Sequence, residues 1–228
     1  MGKRQLSLAS MAAVSVAIGS MFATSVMAES ASPTRSAPTP RPAAAAAPAV
    51  TASVTAPLAS DRVLGRADAP ITIIEYASFT CSHCANFTNS VLPHIKAQYI
   101  DTGKAKLIFR DLPTAPVQVS QLAAAIARCA APDRFFTVAD HLMHDQSEAF
   151  SSGKIGEWFM QAIALSGRTE EQISTCVSAP ATKTSIDSDT ESAIAVGVTG
   201  TPALFVNGKR VANPTLEGMT EALAPLAH

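Results

Sequence analysis

Residues 72–87 read TIIEYASFTCSHCANF, and the stretch joins two kinds of local order. Ile71–Ser78 is apolar and rich in β-branched residues, follows Pro70, and predicts a buried central strand. From Cys81 to about Ile100 the residues Phe87, Val91, Leu92, Ile95 and Tyr99 recur on one helical face. Thr80 is a candidate N-cap for that helix and Pro93 a candidate kink. Lys104–Leu112 (KAKLIFRDL) predicts a second strand. A strand, a helix and a strand of these lengths form a right-handed crossover between parallel strands.

Cys81 and Cys84 stand one helical turn apart, which admits a redox pair, half a metal site, a haem attachment point or a structural disulfide. Haem attachment requires His directly after the second cysteine, and Ala85 stands there. Zinc requires two more ligands at matched spacing, and Cys129 and Cys176 are lone cysteines far apart, so no metal is expected. At the first turn of a helix, free N–H groups and the positive end of the dipole face Cys81 and favour its thiolate. His83, when protonated, adds a cation beside it. Cys84 lies one turn further in. This asymmetry makes Cys81 the exposed nucleophile and Cys84 the resolving thiol, and a stabilised thiolate makes the disulfide oxidising.

Two further features bear on the pair. Glu75 sits six residues before Cys81, inside the apolar strand. Either it occupies a solvated edge or it is a buried carboxyl of raised pKa that exchanges a proton with Cys84. Late in the chain, Gly200-Thr201-Pro202 leads into a strand (TPALFV, 201–206). A cis Thr201–Pro202 bond would present the Thr201 backbone beside Cys81, where an extended substrate peptide could add as a strand. A proline at a strand start is also tolerated with no special meaning.

Between these ends the chain reads as helices: Val119–Cys129, a run after Asp133 as cap through Leu142 to Met143, Gly156–Leu165, a start at Thr169 continuing to Val177, and Ala181–Ala195. Asn207-Gly208 is a hairpin signal, Lys209–Ala212 pairs back, and a last helix covers about Thr215–Leu226. Cys129 and Cys176 are expected to form a structural disulfide, on cysteine parity in an exported chain. His141 and His144 are read as a solvated helix face rather than ligands.

The first residues point to export. Lys3 and Arg4, an apolar stretch to about Val26 and the small-residue end at Ala28 predict a signal peptide over 1–28. In 29–57, 24 of 29 residues are Ala, Pro, Ser or Thr, too little apolar surface to fold, so a disordered linker is expected. Residues 58–228 suit one domain. Its 13 Lys plus Arg against 17 Asp plus Glu, with no basic run, speak against nucleic acid.

With EYASFTCSHCANF early and GVTGTPALFVNG late, the chain resembles the DsbA-like branch of thioredoxin-fold thiol–disulfide oxidoreductases over about residues 62–227. The resemblance implies an α/β thioredoxin fold with an inserted helical subdomain at about 115–195 and no cofactor. It assigns Cys81 and Cys84 as the redox pair, Glu75 as the buried acid and Pro202 as the cis-proline, and it supports the Cys129–Cys176 bridge. It further implies a periplasmic dithiol oxidase acting on reduced exported polypeptides, recycled by a quinone-linked, DsbB-like membrane oxidase. Ser82 stands where proline is common in the branch, and Thr201 where strong oxidases often carry valine, so an isomerase or reductase is the alternative activity. A chaperone or binding module on the same scaffold is the non-catalytic one. A monomer is expected, since no globular dimerisation domain precedes residue 58.

Overall fold

In the computed structural model, residues 53–227 are described. The expected signal peptide and the linker up to residue 52 lie outside them. The strands are β1 (Arg62–Leu64), β2 (Ile71–Ala77), β3 (Ala105–Asp111), β4 (Ala203–Val206) and β5 (Lys209–Arg210), in the order β1-β3-β2-β4-β5. β2 runs parallel to β3 and antiparallel to β4, so it is central and paired on both edges. Asn207 and Gly208 both take positive φ, 45° and 82°, the two-residue turn that the Asn-Gly pair favours.

The predicted helix after the cysteines is one continuous rod of four segments: α1 (Ser82–Asn86), a wide turn over Phe87–Val91, α2 (Leu92–Ile95) and a second wide turn over Lys96–Ile100. In the wide turns the N–H groups reach back five residues, Leu92 to Phe87 and Asp101 to Lys96. Pro93 has no N–H to give, and the change of hydrogen-bond register next to it absorbs that gap. Phe87, Val91 and Ile95 pack this rod on one face of the sheet against Ile71, Ile73, Leu204 and Val206, together with Met219 and Leu223 of the last helix.

Between β3 and β4 lies the helical insertion: α3 (Val117–Arg128), α4 (Phe135–His144), α5 (Gln146–Ser152), α6 (Ile155–Leu165), α7 (Glu170–Val177) and α8 (Pro180–Ala195). Its core joins Phe135, Val138, Leu142, Met143 and Trp158 to Phe79 and Cys84 of the active-site turn. Thr169 and Gln172 form a reciprocal capping box at α7. Cys129 and Cys176 are joined, with an S–S distance of 2.06 Å, and tie the end of α3 to α7. The chain ends in α9 (Leu216–Leu223) and a short 3-10 turn. This is the expected α/β thioredoxin fold with an inserted helical subdomain.

Three local expectations are corrected. Thr80 does not cap the rod: the N-cap is Cys81, and the Thr80 hydroxyl bonds Ser78 and Thr114 instead. Asp133 does not cap α4, whose N-cap is Arg134; the Asp133 carboxylate lies 3.6 Å from the Arg134 guanidinium. Residues 53–57, expected within the linker, belong to the domain. Val54 is buried, and the carbonyls of Val54 and Ala56 accept hydrogen bonds from Arg110, whose guanidinium also pairs with Asp61 at 2.7 Å.

Candidate active site

The site is built where β2 ends. Ser78, Phe79 and Thr80 turn the chain off the sheet, and a buried hydroxyl cluster holds that turn: Ser78 Oγ meets Ser120 Oγ at 2.7 Å and Thr114 Oγ1 at 2.9 Å, and accepts from the Thr114 N–H at 3.1 Å. The chain then enters α1 with Cys81 in extended conformation as its N-cap. The Cys81 carbonyl accepts from the N–H groups of Cys84 and Ala85 at 3.0 and 3.1 Å, which starts the helix. It also accepts from Gln146 Nε2 at 3.3 Å, while the same amide donates to the Phe79 carbonyl at 2.8 Å. Gln146, buried at the start of α5, thus pins the N-cap peptide from the insertion.

The two sulfurs occupy different surroundings. Cys81 is half-buried and Cys84 fully buried, both as free thiols. The Cys81 thiol is brought down to about 5, by a hydrogen bond from the Cys84 thiol first, and against the opposing cost of burial. Thr201 and the backbone N–H groups of Cys84 and His83 add to the effect. His83 therefore contributes through its main chain, and its side chain is exposed. Burial pushes the Cys84 thiol far up, and the charges of Glu75 and Cys81 push it the same way.

Glu75 lies one side chain below. It faces the same side of β2 as Ile73 and Ala77, is 1 % exposed, and has its strand neighbours Phe109 and Leu204 on either side. The solvated-edge alternative is thereby excluded. Burial raises its carboxyl to about 8, with the Cys81 charge as second cause. Glu75 Oε1 has no hydrogen-bond partner among the described residues.

On the other flank, Thr201–Pro202 is cis and the Thr201 carbonyl accepts from Cys81 Sγ at 3.3 Å. Pairing of β4 with β2 stops at Ala203–Tyr76, so Thr201 and Pro202 lie beyond the last pair of that ladder, beside the reactive sulfur. Cys81, Cys84, Glu75, Thr201 and Pro202 thus converge, whereas Cys129 and Cys176 lie apart, in the insertion. His141 and His144 share Asp145, at 2.8 and 2.6 Å, and form no cluster with other metal-binding side chains among the described residues. Gln146 and the Ser78–Thr114–Ser120 hydroxyls were not singled out by sequence reasoning. A polar residue at a helix start gives no local sign that it reaches back 65 positions to another helix.

The sequence profile described as Thioredoxin matches residues 58–224. A Rickettsia bellii protein named as a protein-disulfide oxidoreductase is 31 % identical over 166 residues, 72 % of this chain and 63 % of that protein. The chain therefore spans less than two thirds of that relative. A Bacillus cereus protein named as disulfide bond formation protein D is 29 % identical over 170 residues, 70 % of this chain and 76 % of the relative. The crystal structure of Wolbachia pipientis alpha-DsbA1 superposes with a TM-score of 0.67 at 28 % identity, covering 76 % of this chain and 94 % of that one.

Proposed function

Since the chain belongs to the thioredoxin family, in its DsbA-like branch, we propose that it is a protein thiol–disulfide oxidoreductase working as a dithiol oxidase on exported polypeptides. The observation that carries this reading is the acidic Cys81 at the N-cap of α1, next to main chain that the sheet leaves unpaired.

In the oxidised form a substrate thiolate attacks Cys81 Sγ. The Cys81–Cys84 bond breaks, a mixed disulfide forms on Cys81, and the electron pair leaves on Cys84. Cys84 is a poor leaving group as a free anion, because burial and nearby negative charge oppose its thiolate. Glu75, which burial keeps protonated above the usual carboxylate range, supplies the proton as that sulfur departs. A second substrate thiolate then attacks the substrate sulfur of the mixed disulfide. Cys81 leaves readily, since its own anion is stabilised. The substrate has lost two electrons, which the enzyme now holds as the Cys81 thiolate and the Cys84 thiol. The two substrate protons left to solvent when its thiols ionised, and the Cys84 proton came from Glu75. Thr201 and Pro202 hold the substrate segment as an added strand during both steps.

Recycling returns the two electrons to a quinone-linked, DsbB-like membrane oxidase, with the Glu75 carboxylate taking the Cys84 proton. Signal-directed export to the periplasm and action as a monomer complete the proposal. Among the described residues no helix is long and apolar enough to cross a membrane. The direction of exchange follows from Cys81: a reduced state favoured by its thiolate makes the disulfide an oxidant.

The test is a trap. In cells, Cys84→Ala should accumulate mixed disulfides with client proteins, and wild-type Cys81–Cys84 should be found mostly oxidised. A mostly reduced pair would favour the isomerase or reductase, and a Cys81→Ser strain without phenotype would favour a binding module. No trapped client at all would count against the mechanism.

A further inference from the structure

The rod, α4 and the sheet do not fill all the space between them. A cavity of about 490 Å3 opens between the rod at Thr88–Lys96, α4 and strands β1–β3. Phe109, Ala139 and Met143 give it a buried apolar lining, and Thr137 and Asp140 stand exposed at its rim. Apolar walls of this volume with few polar groups are the usual form of a small-molecule site. Among the polar residues of its lining Glu75 alone is fully buried, 1 % exposed, and its Oε1 is unpartnered. A buried polar atom left so costs about 1–3 kcal/mol, and folded proteins keep few of them.

We propose that this cavity binds a small, mostly apolar molecule that ends in one neutral head of the primary carboxamide class, hydrogen-bonded to the Glu75 carboxyl. The head follows from the chemistry of the carboxyl. Below about pH 8 Glu75 is protonated and offers one O–H donor and one carbonyl acceptor, which a primary amide mates in full. A cationic head would need Glu75 ionised, which burial and the neighbouring Cys81 charge both oppose. The apolar walls select the body. Occupancy also reaches the chemistry, because Glu75 and Cys84 feel each other. A ligand that holds the carboxyl proton withdraws it from the departing Cys84 sulfur. That consequence rests on the proton role proposed above for Glu75; the site itself does not.

Benzamide is the probe, and N,N-dimethylbenzamide, which keeps the acceptor and lacks both donors, is the control. Titrated into the isotopically labelled, reduced full-length chain at about pH 6.5, where the carboxyl holds its proton, benzamide should move the amide resonances of Thr88, Phe109 and Met143 saturably. The control should bind about tenfold more weakly, the worth of one hydrogen bond. Glu75→Leu keeps the wall apolar and should abolish that difference. Ala139→Leu fills the space from α4 and should abolish binding of both. Equal binding of the two probes by the wild-type chain, or shifts scattered away from the lining, would overturn the site. Saturating benzamide should slow thiol–disulfide exchange several-fold; saturable binding with an unchanged rate would uphold the site and overturn the proton role of Glu75.

Discussion

The chain carries two cysteine pairs in opposite surroundings. Cys129 and Cys176 sit within the insertion, where they tie α3 to α7. Near the insertion's junction with the sheet, charged groups are matched: Arg128 donates to both Asp111 and Asp189, Asp189 Oδ2 accepts from the Asp111 N–H at 2.8 Å, and Ser60 Oγ donates to Asp189 Oδ1 at 2.5 Å. Cys81 and Cys84 sit at a helix start with an acceptor carbonyl on one side and a lone buried carboxyl below. Among the described residues, one region pairs its buried carboxylates with a buried cation, although Asp111 Oδ1 has no partner, and the other keeps a sulfur anion and a carboxyl with no cation beside them. The same residue type gives a brace in the first place and a reagent in the second, so environment decides.

The comparison predicts a graded series. Cys81→Ala should lower exchange by about a thousandfold or more, as expected when a nucleophile is removed, in an assay of peptide dithiol oxidation. Residual exchange carried by Cys129 and Cys176 would break the contrast. Arg128→Met should cost about 3–5 kcal/mol in denaturant unfolding, because it leaves two buried carboxyls without their cation. Replacing Cys129 and Cys176 together by Ala should cost about 2–4 kcal/mol while exchange at Cys81 persists.

Burial raises the carboxyls of both regions, Asp111 and Asp189 against the opposing pull of Arg128, and Glu75 with the Cys81 charge pushing the same way. The folded chain keeps the Glu75 proton between its ordinary range near 4.5 and about 8, whereas the unfolded chain has released it. Glu75 therefore favours the folded state most at low pH, and that contribution is lost as pH rises through about 8, with a slope up to ~1.4 kcal/mol per pH unit. Glu75→Leu should flatten this slope in unfolding curves of the oxidised protein. There Cys81 carries no charge, burial alone raises the carboxyl and the loss comes at lower pH than in the reduced chain. An unchanged slope would mean that the carboxyl is not held neutral. The smallest effect belongs to Thr201→Val. Loss of the hydroxyl that helps lower Cys81 should raise its titration by about half a unit to one unit, less than a full hydrogen-bond network is worth.

Much of the fold was legible because its signals are local. The apolar run 71–78, the helical spacing from Phe87 to Tyr99 and the Asn-Gly turn each declare themselves within a few residues. The Cys81–Cys84 spacing likewise placed one sulfur at a helix start. What escaped depends on distant partners. β1 is three residues at the sheet edge, with no alternation long enough to read, and exists because it pairs with β3. Residues 53–57 read as linker by composition, yet Arg110, more than 50 positions away, takes their carbonyls. Thr80 and Asp133 are good capping residues, but capping depends on which neighbour claims the side chain first, and Thr114 claims Thr80. Gln146 is invisible for the same reason: its meaning is a contact across the insertion.

The central claim is that Cys81 is held as a thiolate at physiological pH. Following thiolate absorbance of the reduced protein against pH tests it most directly, with Cys81→Ala, which should lose the transition, to assign it. The account predicts a single midpoint at about 5 for the reduced wild-type chain. A midpoint near 9, the ordinary value of a free thiol, would contradict it.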